Sequence, residues 1–533
     1  MKRLLLVLAG MASLVLAGIA LAADGGQRVT SGDPFATCTL GGDDFGGVVF
    51  PSTEPEVWLA ANPADAQNLI GSIQQDRWSD GGAKGLVAPY SLDGGRSWSE
   101  VPLPFSECAA PYYHRKVLHY DRATDPWVDI GPDGTAYSIT VSFNGNDNGN
   151  AVGVATSTDG GRSYGNLRSL LTEDPNDPTL PFNDKESITA DPTVPGRAYA
   201  VWDRLQNIAC PPGVPPASAS SDDRVFVNRG GGPAAALDCF DGPALISLTR
   251  NGGRSWSTPR PIVAAVANEQ TIANQIVVDP RTHTLYDFYM YFAADNSATV
   301  ENVASHDGGL TWGPRQLVSD SRTVGVTDPQ TGAPLRTGDI IPEPAIDPRT
   351  GRLYVVWQDP RYNTVDPNED QLVVSTSTAG GLTGTWSVPA LVNDPRDRAA
   401  FTPAVKVTST GRLAVQYYAL RRDDHRADQL PTDVMLRFSN GPGTRFSAPE
   451  QAIGGPFNML AAPFAGGYFT GDYEGLALDL GNPGHVHPFV TMTNCRDSRC
   501  AAVRDFDADG NPIPSNAPNP TDVYTFGDRP EER

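Results

Sequence analysis

Beyond its first two dozen residues the chain is a succession of short runs in which apolar and polar positions alternate, each broken by Gly, Pro, Asn or Asp. Seven of these runs share one form: an apolar strand, a tight turn, and a second strand ending in aromatic or polar residues. They read EVWLAANPADAQNLIGSIQQD, WVDIGPDGTAYSITVSF, SITADPTVPGRAYAVWD, NQIVVDPRTHTLYDFYMYF, PAIDPRTGRLYVVWQD, PAVKVTSTGRLAVQYYA and GLALDLGNPGHVHPFVTMT. Period-two alternation puts one face of each strand in a core, so each run predicts a β-hairpin. Helical periodicity is nearly absent.

After most hairpins comes a second recurring stretch. SLDGGRSW starts at Ser91, STDGGRSY at Ser157, TRNGGRSW at Thr249 and SHDGGLTW at Ser305, with looser copies at Ser377 (STAGGLTGTW) and Ser439 (SNGPGTRF). Asp or Asn beside Gly-Gly is turn chemistry, because the short side chain accepts backbone N–H bonds while Gly supplies positive φ. The following Trp or Tyr has the size to fill an apolar gap beside the turn. These residues read as scaffold. A hairpin plus two strands around such a turn makes a four-stranded sheet, and repeats of this length imply stacked units. The expected fold is therefore all-β: a single β-propeller of four-stranded blades, with seven blades favoured and six as the alternative, whose radial closure protects strand edges. The segment around Val48–Phe50 is expected to add a strand to the last blade and close the ring.

The four strict repeats resemble the Asp-box, or bacterial neuraminidase repeat, of the sialidase-like superfamily and related secreted propellers. The resemblance spans most of residues 35–530 and is specific for fold rather than activity. It implies an Arg triad, a Tyr nucleophile with a Glu partner and an Asp acid/base, usually with an early Arg-Ile-Pro. No Arg-Ile-Pro occurs, and EPEVWLAANP stands in its place without Arg.

The opening MKRLLLVLAGMASLVLAGIALAA, with Lys2, Arg3, an apolar run and Ala-Leu-Ala ending at Ala22, reads as a secretory signal over residues 1–22. Export suits six cysteines, for which sequence proximity favours Cys210–Cys239 and Cys495–Cys500, leaving Cys38 for Cys108. The first of these would staple a Pro/Gly-rich insertion around 205–240. No later stretch is apolar enough to span a bilayer. A net charge of −22 excludes nucleic acid and anionic membrane surfaces as partners. The picture is a secreted protein, monomeric, without membrane insertion.

Candidate chemistry lies in loops that share the mouth of the ring. QQDRW, VWDRL, VWQDPRY, YALRRDD and TNCRD each put Asp and Arg at the end of a second strand. Arg77, Arg204, Arg361, Arg421 and Arg496 are thereby expected to converge there and to bind an acidic glycan or other anionic ligand through paired hydrogen bonds. Carboxylates recur near the start of the first strands as Glu56, Asp125, Glu186, Glu343 and Glu474. NDKES and FTGDYEGLA are densest, and they supply Asp184, Glu186, Asp472, Tyr473 and Glu474 as acids, bases and a phenol for glycoside cleavage, Tyr473 with Glu474 as the nucleophile pair. Asp184 and Asp472 serve equally well as turn caps. The loop YYHRKVLHYDRATD adds His114 and Tyr120 as sugar contacts. Asp505, Asp507 and Asp509 have calcium-loop spacing, but Asn516 stands where the twelfth-position Glu belongs, so no cofactor is required and calcium is the weak candidate.

The leading expectation is a sialidase-like exo-glycosidase. The alternatives are a propeller polysaccharide lyase, which would neutralise a uronate with Arg and use Tyr or His as base, and a non-catalytic extracellular binding or structural propeller.

Overall fold

Each of the seven hairpins forms the first two strands of an antiparallel unit in the computed structural model, which describes residues 26–40, 47–216, 239–264, 266–420, 429–494, 521–527 and 529–530. The first unit comprises Trp58–Ala61, Leu69–Trp78, Ala83–Ser91 and Ser99–Pro102. The second comprises Arg122–Ile130, Ala136–Phe143, Asn150–Ser157 and Gly165–Thr172. A single pair, Ala83 with Ala123, joins these two into one sheet. The third to sixth units repeat the order, beginning with Phe182–Ala190, Gln270–Val278, Glu343–Ile346 and Ala400–Val407. The seventh is Gly475–Leu478, His485–Thr493 and Thr521–Thr525, to which Gln27–Arg28 adds as the fourth strand.

The first strands lie side by side in chain order, and the last, Gly475–Leu478, packs on the first, Trp58–Ala61. Apolar residues of the first strands, Trp58 and Trp127 among them, merge with Val154, Trp202, Phe288 and Trp357 of the strands behind into one core. Trp202 and Trp357 are fully buried. The helical elements among the described residues are two short 3-10 turns, Glu107–Tyr112 and Met459–Ala461. No helix of the described residues is long and apolar enough to cross a membrane.

The repeated turns share one hydrogen-bond scheme. The Ser91 hydroxyl donates to Asp93 (2.8 Å) and accepts from the Gly95 amide (2.8 Å), while Asp93 accepts from the amide and hydroxyl of Ser97 (2.8 and 2.6 Å). Ser157–Asp159–Ser163 and Ser305–Asp307–Thr311 repeat it. Hydrogen bonds from Thr311 hold the Asp307 carboxyl down at about 2. Both glycines of the first turn sit at positive φ, +73° and +83°, where a Cβ would be strained.

One expectation about closure is corrected. Val49–Phe50 pairs with Trp78 and Arg77, extending the second strand of the first unit, and does not reach the seventh. The strand that does, Gln27–Arg28, lies upstream of residue 35 and pairs with Thr525 and Tyr524. Its Arg28 bonds Asp522 at 2.5 Å. Cys38 is bonded to Cys108 and Cys210 to Cys239. Cys495 and Cys500 lie outside the described residues, as does most of the insertion between Cys210 and Cys239.

Between the fourth and fifth units the chain leaves the repeat. Val326–Thr327 and Pro334–Arg336 form a small hairpin, and Pro334–Arg336 pairs in parallel with Tyr468–Phe469 ahead of the seventh unit. This excursion carries Arg336 to the centre of the molecule.

Candidate functional site

Four first strands break register at one place. The pairing shifts between Thr124 and Trp127, Asp184 and Ser187, Ile272 and Gln275, and Phe401 and Ala404. Inside each bulge one residue takes positive φ: Asp125 (+51°), Lys185 (+46°), Ala273 (+61°) and Thr402 (+48°). Glu56, at +53°, precedes Trp58 as Asp125 precedes Trp127. A non-glycine residue in this region costs about 1–3 kcal/mol and persists only where its surroundings hold it. The bulge turns that side chain out of the pleat. In the first three units the turned side chains are Glu56, Asp125 and Lys185, and they meet.

Lys185 is the hub. Its Nζ lies 2.6 Å from Asp472 Oδ2, 3.2 Å from Asp125 Oδ1 and 3.5 Å from Glu56 Oε1. Arg336 grips the other side of Asp472, donating from Nε at 3.0 Å and also from Nη2. Behind Glu56 stands Arg77, whose Nη1 is 3.9 Å from Glu56 Oε2 and donates to Gln74 at 3.0 Å. The ring of Phe469 is sandwiched between the guanidiniums of Arg77 (4.7 Å) and Arg336 (4.6 Å). Lys185 and Asp472 are only 6% and 5% exposed, whereas Arg336 is 30% exposed, so the cluster meets solvent through Arg336.

Its carboxyls are driven to opposite protonation states. Burial would raise Asp472, but Arg336 and Lys185 outweigh it and hold that carboxyl far below the usual range. Burial pushes Glu56 up to about 8 in spite of Lys185, because Asp125 and Asp472 repel its ionised form. Asp184 rises to about 8 through burial and its neighbour Asp125. Glu186 is raised well above the usual range by burial, and neither of its carboxyl oxygens is hydrogen-bonded among the described residues. Asp125, Asp472 and Glu56 hold the Lys185 ammonium charged against its own burial. An ionised and a protonated carboxyl thus share one ammonium, the division of labour that acid-assisted bond cleavage needs.

Several expected residues are placed elsewhere. Tyr473 and Glu474 diverge. The Tyr473 hydroxyl donates to the Pro126 carbonyl at 3.2 Å, and its ring packs on Trp127 and Trp58 with Lys185 Nζ 5.9 Å from its centre. Burial, then the carboxylates around it, keep that phenol protonated. Glu474 instead accepts from the Tyr418 hydroxyl (2.6 Å) and the Thr491 amide (3.0 Å). The two side chains have separate partners just ahead of the strand Gly475–Leu478 and do not form a pair.

Of the expected arginines among the described residues, Arg77 alone joins the cluster. Arg204 is clamped by Glu173 at 2.6 and 3.1 Å, and Arg361 by Asp359 at 2.8 and 2.7 Å. His114 is exposed and Tyr120 is half-buried, neither of them in contact with the cluster. Arg421, Arg496, Asp505, Asp507 and Asp509 lie outside the described residues. Among the described residues no group of three or more His, Cys, Asp or Glu could hold a metal ion.

Two central residues were not singled out from sequence. Lys185 sits between Asp184 and Glu186, where a lone cation among carboxylates is the available signal. Arg336 belongs to a segment with no counterpart in the other units, so repeat alignment passes over it.

No protein-family profile matches the chain, and no curated protein matches it. Solved structures resemble it at low identity. An alpha-L-arabinanase of Penicillium chrysogenum complexed with arabinobiose is 12% identical, covering 70% of this chain and 93% of its own, with a TM-score of 0.42. A sialidase of Streptococcus pneumoniae is 9% identical over 95% of this chain and 97% of its own, also at 0.42. A protein of unknown function from Dyadobacter fermentans is 12% identical over 90% and 96%, at 0.41. What the chain does has to be read from its own residues.

Proposed function

We propose that the chain is a secreted, monomeric β-propeller of seven blades, closed by Gln27–Arg28, and that the Lys185 cluster at its centre is the active site of a glycoside hydrolase acting on an acidic glycan. The observation that carries this reading is the pair of carboxyls, Glu56 protonated and Asp472 ionised, held on one ammonium. Their oxygens stand 3.5 and 2.6 Å from Nζ, which favours the roughly 5–5.5 Å spacing of retaining cleavage over the wider spacing that leaves room for a water.

Glu56 gives its proton to the glycosidic oxygen as the bond to the anomeric carbon breaks. Asp472 then bonds that carbon. Water, deprotonated by Glu56, attacks the ester and releases a sugar of unchanged anomeric configuration. Asp472 cannot attack while Arg336 and Lys185 hold both its oxygens. A substrate carboxylate arriving at the exposed face of Arg336 takes over that guanidinium and frees Asp472, so the acidic group of the substrate unlocks the nucleophile. Arg77, behind Glu56, sets the electrostatics of the acid without meeting substrate.

The experiment is a panel of aryl glycosides, comprising a sialoside, a uronoside and a neutral arabinofuranoside, tested with wild type, Glu56→Gln, Asp472→Asn and Arg336→Met. Expected are turnover of an acidic member with retained configuration, its loss in the first two variants, and loss of the acidic preference in the third. Turnover that survives Asp472→Asn overturns the mechanism. A second reading is favoured by one fact: every cation of the cluster is already paired, as in a structural plug. Wild-type protein that neither turns over nor binds any panel member supports it.

A further inference from the structure

The ring of first strands has a second, lower level. Asp129, Thr189, Val277 and Lys406 each stand four residues beyond the bulge residue of their strand. Each is half-buried, while the residues on either side of it are buried. The same exposure at the same register position in four strands marks a level of the first strands that solvent reaches. Lys406 is its cation. The ammonium lies 5.0 Å over the ring of Trp58, whose indole also stacks on Trp127 at 3.4 Å. Unlike Lys185, it makes no hydrogen bond and no ion pair among the described residues. The charged groups that face it are Glu343 and Asp129. Glu343 accepts from Gln275 Nε2 at 3.3 Å, and Asp129 is occupied by the Ala190 amide at 2.9 Å and the Ile130 amide at 2.9 Å.

An unpaired amine on an aromatic wall, with a carboxylic acid opposite and solvent access, has the parts needed for condensation with a carbonyl group. We propose that Lys406 is a carbonyl-reactive amine that forms an imine with a small aldehyde, such as the open-chain form of a reducing sugar. The nitrogen lone pair bonds the carbonyl carbon. Both nitrogen hydrogens pass by way of Glu343 to the carbonyl oxygen, which leaves as water, and C=N remains. Burial lowers the pKa of the ammonium against the pull of Glu343 and Asp129. Burial also lifts Glu343 to about 8, so the carboxyl keeps its proton at neutral pH. Both shifts suit the step, since each unit by which the amine falls gives about tenfold more nucleophile.

The test uses the whole chain with glyceraldehyde and sodium cyanoborohydride at neutral pH, with peptide mapping of the reduced adducts. The exposed Lys116 serves as internal reference. Lys406 is expected to label faster than Lys116. Glu343→Gln should slow labelling at Lys406 and leave Lys116 unchanged. A methyl glycoside, which has no free aldehyde, should give no adduct. Labelling of Lys406 no faster than Lys116 in wild type overturns the proposal, and this comparison stands whether or not the Glu343 variant folds. Equal labelling of Lys406 in a folded Glu343→Gln protein removes the carboxyl from the step and overturns the assignment as stated.

Discussion

Replacing Lys185 by Met tests whether the central cluster is held by charge. The substitution keeps the length of the side chain and removes the ammonium that touches Asp472, Asp125 and Glu56. All three carboxyls are at least nine-tenths buried, and stranding a buried ion costs about 3–5 kcal/mol. For 533 residues the unfolding entropy is about 1.1 kcal/mol per kelvin, so this cost lowers Tm by about 3–5 °C. The loss depends on pH in a definite sense. Lys185 is raised above its unfolded value and stays charged throughout the neutral range, so the dependence comes from the carboxyls it leaves behind. At pH 8.5 wild type gains from the Lys185–Glu56 attraction as Glu56 ionises, whereas the variant must either hold Glu56 ionised against Asp125 and Asp472 without relief or take up a proton at that pH. At pH 5 Glu56 carries its proton and the repulsion shrinks. Thermal unfolding at one scan rate, for wild type and variant at pH 5 and 8.5, should therefore show the larger loss at pH 8.5. Equal losses at both pH values, or none, would refute the electrostatic account and leave Lys185 as packing.

Other measurements probe separate parts of the molecule. Glu56 and Glu343, each at about 8 against an ordinary 4.5, and Asp184, at about 8 against 3.8, bind more protons folded than unfolded. Stability should fall as pH rises from about 5 to 8.5, and Glu343→Gln should flatten that slope; a melting temperature that climbs over the interval contradicts the burial argument. Arg361→Ala should leave ligand preference untouched and cost stability, since it unpairs the buried Asp359; a specific loss of acidic-sugar binding in folded protein would return Arg361 to the mouth. Trp98→Ala should cost about 2–3 kcal/mol, less than a fully enclosed ring, because Trp98 is half-buried against Phe489 at 5.6 Å; turnover per folded molecule should not change, and calorimetry with an activity titration reads both.

What the sequence disclosed follows from which forces are local. The seven hairpins are legible because alternation and turn residues act within about twenty positions, and the Ser–Asp–Gly-Gly turns because their hydrogen bonds close within four residues. Cys210 and Cys239 are close in the chain and were paired on that ground. The centre is different. Lys185 and Asp472 are separated by 287 positions, and no periodicity links them. Repeated Asp–Arg dipeptides suggested convergence, but a strand end has two faces and a rim. Arg204 and Arg361 satisfy themselves with Glu173 and Asp359, leaving Arg77 to join the cluster. Arg336, which joins the cluster in their stead, arrives on an excursion that breaks the repeat. Tyr473 and Glu474, adjacent in sequence, part because the phenol finds the Pro126 carbonyl and the carboxylate finds Tyr418 and Thr491, partners at long range that no local pattern discloses.

The aromatic layer explains how the first strands accommodate two lysines in a molecule of net charge −22. Lys185 lies above Tyr473, whose ring meets Trp127 and Trp58, and Lys406 lies over Trp58. Tyr473, Trp127 and Trp58, the two indoles stacked at 3.4 Å, form one contiguous aromatic partition in which Tyr473 gives Lys185 its π surface and Trp58 gives Lys406 one. On either side of it the acids are arranged differently. Around Lys185, Asp472 stays ionised because two cations grip it; around Lys406, burial keeps the proton on Glu343 against the pull of the Lys406 ammonium. The partition therefore separates a site organised by ion pairs from one organised by a neutral acid and a free amine. Opening it, as Trp58→Ala would, should let the lower lysine feel the upper carboxylates: the Lys406 amine would be held protonated to higher pH and its labelling by glyceraldehyde would slow. If labelling is unchanged or faster in the folded variant, the indoles do not insulate the two levels, and the chemistry of each must be set by its own strand-end residues alone.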